Sequence, residues 1–250
     1  MRDTLRRIFD FLKENRQYNK ELQEKYYSSI VAPHEKSETA EKVISLLYHT
    51  VNTQWQPNMD LLGNFYTNVY NNKNKLTTFH GFISIINSDN TLPYNYLSIY
   101  KCMKAINGWG DKTSALLAKK LYHFHNSDYP KELRIWDDIP TSLEKEDRFY
   151  LPVDAVIISI FNSLDETEKW SFAKINNRLN QYYQGNEIEV WDDLWFWGFI
   201  TQKGPKENRT HKWNPNKYWA MEHSDKNPSK IKEIKKKANV FLKLIGQEQS

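Results

Sequence analysis

Apolar residues recur three and four positions apart along most of this chain, whereas the strict alternation of a half-buried strand is hard to find. That pattern predicts a mostly helical protein. Near the start, Leu5, Ile8, Phe9 and Leu12 share one face, which Leu22 and Tyr26 extend until Pro33 stops it. A second helix fits Val43 to Val51, with Ile44, Leu47, Tyr48 and Val51 turned inward. Further helices are expected over 60–71, 78–87, 94–106, 112–125, 153–164, 171–183, 188–200 and 228–245. Asn, Asp, Gly and Pro separate them, as loops require.

Two stretches interrupt the pattern. Residues 126–150 hold two prolines and many charges, and residues 204–227 are rich in Asn, Lys, Pro and Trp. Long irregular segments in compact domains tend to be functional or disordered. An insertion at 126–150 is expected to loop out at the surface, where extra length costs little closure entropy. With no internal repeat and no obvious linker, a single domain over 1–250, in two helical lobes, is the expected organisation.

Composition narrows the class. Eight glycines, nine prolines and 14% aromatics argue against collagen, low-complexity and charge-driven disordered chains. One cysteine, Cys102, cannot form an internal disulfide or supply the thiolates of an iron–sulfur cluster or a Cys-type zinc site. No apolar run reaches the ~20 residues that span a bilayer, and the first residues are charged and periodic rather than signal-like. The expectation is a monomer with no membrane association, in the cytoplasm or another reducing compartment.

Charge is distributed unevenly. Residues 201–250 hold 12 Lys/Arg against 5 Asp/Glu, a balance of +7, so residues 1–200 carry −3 of the overall +4. A basic C-terminal end suits a phosphate backbone, or simply a solvated helix face such as that of Lys232, Lys235, Lys236 and Lys237.

The most informative stretch is Ile106-Asn107-Gly108-Trp109-Gly110-Asp111-Lys112, between one predicted helix and the next. Two glycines two apart permit a tight hairpin. Such a hairpin presents backbone N–H groups beside a helix N-terminus, where the dipole favours an anion such as a DNA phosphate. A nucleotide-binding P-loop would need Gly directly before Lys and a preceding strand, and here Asp111 intervenes after a helix. Downstream, Leu151-Pro152-Val153-Asp154 leads into an apolar helix, which puts Asp154 at the helix start, as a cap or as a catalytic carboxylate.

These residues resemble the helix-hairpin-helix (HhH-GPD) DNA glycosylases, at Ile106, Gly108, Trp109, Gly110 and Lys112 of the hairpin and at Val153-Asp154. The resemblance implies an all-α, two-lobed fold with a core over 41–170 holding the hairpin at 106–112, an N-terminal helical part over 1–40, and C-terminal helices with a basic tail over 171–250. It also implies that Lys112 is the nucleophile and Asp154 its partner, with Gly108, Trp109 and Gly110 gripping the DNA backbone. Two departures stand out: 42 residues separate Lys112 from Asp154, more than in common relatives, and Val156 stands where they carry His.

Val51-Asn52-Thr53-Gln54-Trp55-Gln56 resembles the family segment that fills the gap beside an extruded nucleotide, with Gln54 first choice and Gln56 second. In Trp191-Asp192-Asp193-Leu194-Trp195-Phe196-Trp197, aromatics at helical spacing suit a core, but Asp193 and Trp197 could stack on and read a flipped purine, with Pro152 completing the base pocket. The archaeal-type 8-oxoguanine DNA glycosylases are the most similar relatives. Taken together, the resemblance implies a bifunctional glycosylase and AP lyase acting on double-stranded DNA with a damaged base, needing no metal or organic cofactor. The alternatives are a monofunctional glycosylase for another base, a non-catalytic hairpin module, and a helical protein-interaction domain. His123 and His125, at i and i+2, point to different helix faces and make a poor metal pair.

Overall fold

In the computed structural model of the chain, the described residues are 1–250 apart from 55, 88, 90, 144–146, 206–208, 222–226 and 248–250. The helical period governs them. The helices are α1 (Arg2–Glu14), α2 (Arg16–Val31), α3 (Thr39–Val51), α4 (Met59–Asn71), α5 (Phe79–Ile86), α6 (Tyr96–Ala105), α7 (Asp111–His125), α8 (Ala155–Leu164), α9 (Phe172–Asn180), α10 (Asn186–Trp191), α11 (Asp193–Ile200), α12 (Pro215–Met221) and α13 (Pro228–Leu244). One antiparallel ribbon joins β1 (Gln202–Lys203) to β2 (Thr210–His211), with Gln202 opposite His211 and Lys203 opposite Thr210. The protein is mostly helical, as its periodicity predicts.

Short polar side chains set many of the helix starts. Asn58, Thr78, Asn95 and Asn227 each accept a hydrogen bond from a first-turn amide of α4, α5, α6 and α13 respectively. Each satisfies a backbone donor that the helix itself cannot pair.

The chain divides into two compact units, one built from Met1–Leu22, Val153–Tyr183 and Glu187–Ser250, the other from Gln23–Pro152 and Gln184–Asn186. In the first, the indole of Trp197 is wholly buried among Phe11, Tyr18, Phe196 and Phe241. Here α11 crosses α8 closely because Gly198 has no side chain: a Cβ there would lie 2.6 Å from Ile160 Cδ1 and 2.7 Å from Val156 Cγ1. In the second, α6 packs along α7, and Tyr96, Tyr122 and Phe149 form a ring cluster.

Several expectations are corrected. Tyr48, expected inward, is 56% exposed, and Tyr26 is exposed while its neighbour Tyr27 is buried. The first helical stretch breaks at Asn15, whose Nδ2 donates to the Phe11 carbonyl. The helix expected over 188–200 divides at Asp192, around which i→i+3 bonds (Asp192 N to Glu189 O, Trp195 N to Asp192 O) tighten the turn. The irregular 204–227 stretch contains the ribbon's second strand and α12.

The largest correction concerns 126–150, expected to loop out. Its described part instead fastens the second unit together. Tyr129, Leu133, Ile135, Trp136, Ile139 and Phe149 are buried. The Asp138 carboxylate accepts the backbone N–H of Phe79 (2.7 Å) and His80 (3.0 Å) at the start of α5, and that of Asp147 accepts those of Tyr96 (3.1 Å) and Leu97 (2.8 Å) at the start of α6. Aspartates that read in sequence as loop polarity are helix caps supplied from a distance.

Candidate nucleic-acid interface and active site

In the second unit, α6 ends at Ala105 and Ile106 turns extended, with the Trp109 N–H closing back on the Ile106 carbonyl at 3.1 Å. Gly108 sits at φ +91°, a conformation that L side chains rarely adopt, and an added Cβ would meet Leu62 at 3.2 Å. This glycine is required by the turn. Gly110 is not: as the residue before α7 it has φ −101°, and a Cβ there would face open space. The tight hairpin expected of both glycines therefore rests on Gly108 alone, while Gly110 leaves the helix start uncovered. Trp109, expected among the DNA-contacting residues, is 4% exposed, its ring edge-on to Phe65. It anchors the hairpin from within, so that only its backbone can be presented.

The hairpin and the 52–56 loop meet. Gln54 Nε2 donates to the Gly108 carbonyl at 3.2 Å, and Lys112 Nζ donates to the Thr53 carbonyl at 3.1 Å. Residues 54 apart and 59 apart in sequence are thus brought to one place, and the first-choice amide of the loop touches the glycine of the hairpin. Gln56 is exposed, and Trp55 lies outside the described residues. Lys112 is half-buried and makes no ion pair among the described residues. The neighbouring acid is committed elsewhere: Asp111 accepts from Tyr100 Oη (2.6 Å) and Lys104 Nζ (2.5 Å). Burial pushes the Asp111 carboxyl up, but those two partners hold it below its ordinary value.

Two turns further along α7 lies a second amine that sequence reasoning missed. Lys120 is 2% exposed, and among the described residues its Nζ bonds to two hydroxyls, Tyr26 Oη at 3.2 Å and Thr50 Oγ1 at 3.3 Å, and lies 4.8 Å from the Tyr26 ring centre. Burial, then the charges of Lys119 and Lys112, push its pKa well below that of a free lysine. His123 and His125 are both buried: His123 Nδ1 bonds to Tyr27 Oη, and His125 Nδ1 bonds to the Leu121 carbonyl. Among the described residues, no three His, Cys, Asp or Glu side chains are grouped to hold a metal.

In the first unit, Asp154 caps α8. Its Oδ1 accepts the backbone N–H of Val156 (2.8 Å) and Ile157 (3.1 Å), and its Oδ2 accepts Trp195 Nε1 (3.0 Å). Trp195 and Phe199 are stacked and half-buried, with ring centroids 4.9 Å apart at 16°, and Lys217 Nζ lies 4.7 Å from the Phe199 ring centre. Pro152, expected at the base pocket, is half-buried and closes the second unit; Lys112 and Asp154 belong to different units.

The other expected pocket residues face inward. Asp193, 3% exposed, accepts Asn19 Nδ2 at 2.6 Å on Oδ1, with Arg16 Nε 3.4 Å from Oδ2. Burial drives its pKa well above the usual carboxylate range, against the pull of Arg16 and Asn19. Asp193 and Trp197 do share one helix face, but that face is packed in the core, and the partly exposed i, i+4 pair on α11 is Trp195 with Phe199. The two pairs have the same spacing, so only their order relative to the core separates them.

No protein-family model, curated protein or solved structure matches the chain. No described helix is long and apolar enough to cross a membrane.

Proposed function

We propose that this protein is a bifunctional DNA glycosylase and AP lyase of the HhH-GPD fold that excises an oxidised purine, with 8-oxoguanine the preferred candidate, from double-stranded DNA. The observation that carries the reading is the meeting of Lys112 and Gln54 with the hairpin and the 52–56 loop. An amine with no ion pair among the described residues, a short amide and exposed backbone at a helix start are the parts that nucleotide extrusion and attack require.

In this reading the hairpin amides grip a phosphate, and Gln54 fills the gap left by the extruded nucleotide. The lone pair of the Lys112 amine attacks C1′ of the sugar. The glycosidic bond breaks, its electron pair leaves with the base, and the base takes up a proton. Opening of the sugar ring then gives a Schiff base on Lys112. Loss of a C2′ proton expels the 3′ phosphate and nicks the strand. The resemblance gives Asp154 the role of stabilising the positive charge that develops on the sugar and of assisting the proton transfers.

The test is borohydride trapping on 8-oxoguanine duplex. A covalent adduct is expected from the native protein and none from Lys112→Gln. Absence of an adduct with a folded, DNA-binding protein overturns the lyase, and base release that survives Lys112→Gln but not Asp154→Asn indicates a monofunctional glycosylase. A second reading, a hairpin module that holds DNA without chemistry, is favoured by Asp154, both of whose oxygens are already engaged. Duplex binding with no base release across a lesion panel selects it.

A further inference from the structure

The basic excess near the C-terminal end has a structural focus in the first unit. The ribbon of β1 and β2 is only two residues long on each side, and one buried amide secures it. Gln202 is wholly buried; its Nε2 donates to the Val156 carbonyl at 2.9 Å, and its Oε1 accepts Arg209 Nη1 at 2.8 Å. The guanidinium is thus held by a neutral group. Two residues on, His211 Nε2 lies 3.1 Å from Ser159 Oγ of α8. Arg209 Nε and His211 Nδ1 are both buried and have no hydrogen-bond partner among the described residues.

Lys217 of α12 joins the cluster over the Phe199 ring. Burial lowers its pKa first and the charge of Arg209 lowers it further, while Asp154 acts in the opposite direction. His211 is likewise lowered by burial and by Arg209, against its bond with Ser159. Among the described residues none of Arg209, His211 and Lys217 makes an ion pair. Asp154, a carboxylate in electrostatic reach of Lys217, already has its oxygens on two amides and an indole.

Among the described residues, two cations and an imidazole held in place by neutral partners have no counter-anion. An unmet buried donor such as Arg209 Nε costs about 1–3 kcal/mol, and an oxyanion bound at this half-buried guanidinium can offset that cost. A planar guanidinium fork suits phosphate, and an ammonium within its electrostatic reach adds to the attraction.

We propose that Arg209, His211 and Lys217 form an oxyanion site that takes a phosphodiester of the nucleic-acid strand. The site is separate from the hairpin. It rests on the reading of the chain as a DNA-binding protein, and it assigns that partner a second phosphate contact.

The experiment measures binding of a fluorescent duplex against salt for the native chain, Arg209→Gln and Lys217→Gln, with circular dichroism melts to confirm folding. Each substitution is expected to weaken binding equally on lesion and undamaged duplexes, and to reduce the slope of log K against log salt by about 0.9, the value of one phosphate contact. An unchanged slope in folded Lys217→Gln, with native binding intact, overturns the second site and leaves the DNA reading standing. In a second arm, the His211 imidazole resonances are followed as inorganic phosphate is added. A shift that Arg209→Gln and Lys217→Gln abolish is expected. Such a shift in a chain that binds no duplex assigns the site to a free phosphate and overturns the DNA reading. No shift and no duplex binding overturns both.

Discussion

Trp195 Nε1 donates to Asp154 Oδ2 at 3.0 Å, so the side chain that caps α8 is also tied to α11. The carboxylate on which the proposed chemistry depends is fixed from two helices.

That relationship is measurable as a coupling. Trp195→Phe removes the indole donor and leaves the cap, and Asp154→Ala removes both. Losing the cap costs about 1 kcal/mol, and a hydrogen bond to a charged group is worth about 1.5–3 kcal/mol. A double-mutant cycle in urea should therefore give an interaction energy of about 1–2 kcal/mol between positions 154 and 195. An interaction energy near zero would show that the two side chains do not meet in solution.

The two hairpin glycines should behave differently. Gly108→Ala forces a side chain to φ +91° against Leu62, at a cost of about 1–2 kcal/mol, whereas Gly110→Ala meets open space and should leave the melting temperature nearly unchanged. If the helix start at Gly110 is where a phosphate approaches, Gly110→Ala should instead weaken duplex binding. Thermal melts and binding isotherms on the same two variants decide the matter. Equal stability losses would contradict the geometry.

His125 makes the fold sensitive to acid. Its Nε2 accepts the backbone N–H of Ile135 (3.2 Å) and Trp136 (3.1 Å), a role that only the neutral ring can fill, and burial lowers its pKa to about 4. The unfolded chain binds this proton near pH 6.5 and the native chain only near pH 4. Stability from this group is therefore complete above pH 6.5, falls as pH drops through that window, and levels off below it, a loss on the order of 3 kcal/mol. His125→Gln, which does not titrate, should be the less stable protein at pH 7, and its deficit should shrink steadily toward pH 4. A deficit independent of pH would mean that His125 titrates normally.

Much of the site could be read along the chain because its signals are local. A glycine that must adopt positive φ, an aspartate before an apolar helical run and a lysine just inside the next helix each depend on backbone conformation within a few residues. The inward and outward faces of α11 could not be read so. Asp193 with Trp197 and Trp195 with Phe199 have the same spacing, and which pair is buried depends on Phe11, Tyr18 and Phe241, far away in sequence. The 126–150 segment misled for the same reason. Asp138 and Asp147 look like loop charges until α5 and α6 arrive beneath them.

By itself, the order of residues determined that the chain is helical, where most helices begin and end, and that a glycine hairpin precedes Lys112. Those properties follow from short-range sterics, capping and period. Tertiary structure alone decided that Gln54 reaches Gly108, that Trp195 holds Asp154, that Lys120 is a buried amine, and that Arg209, His211 and Lys217 have no ion pair among the described residues. Each of these depends on contacts between segments distant in sequence, and on which of several equivalent faces the core claims.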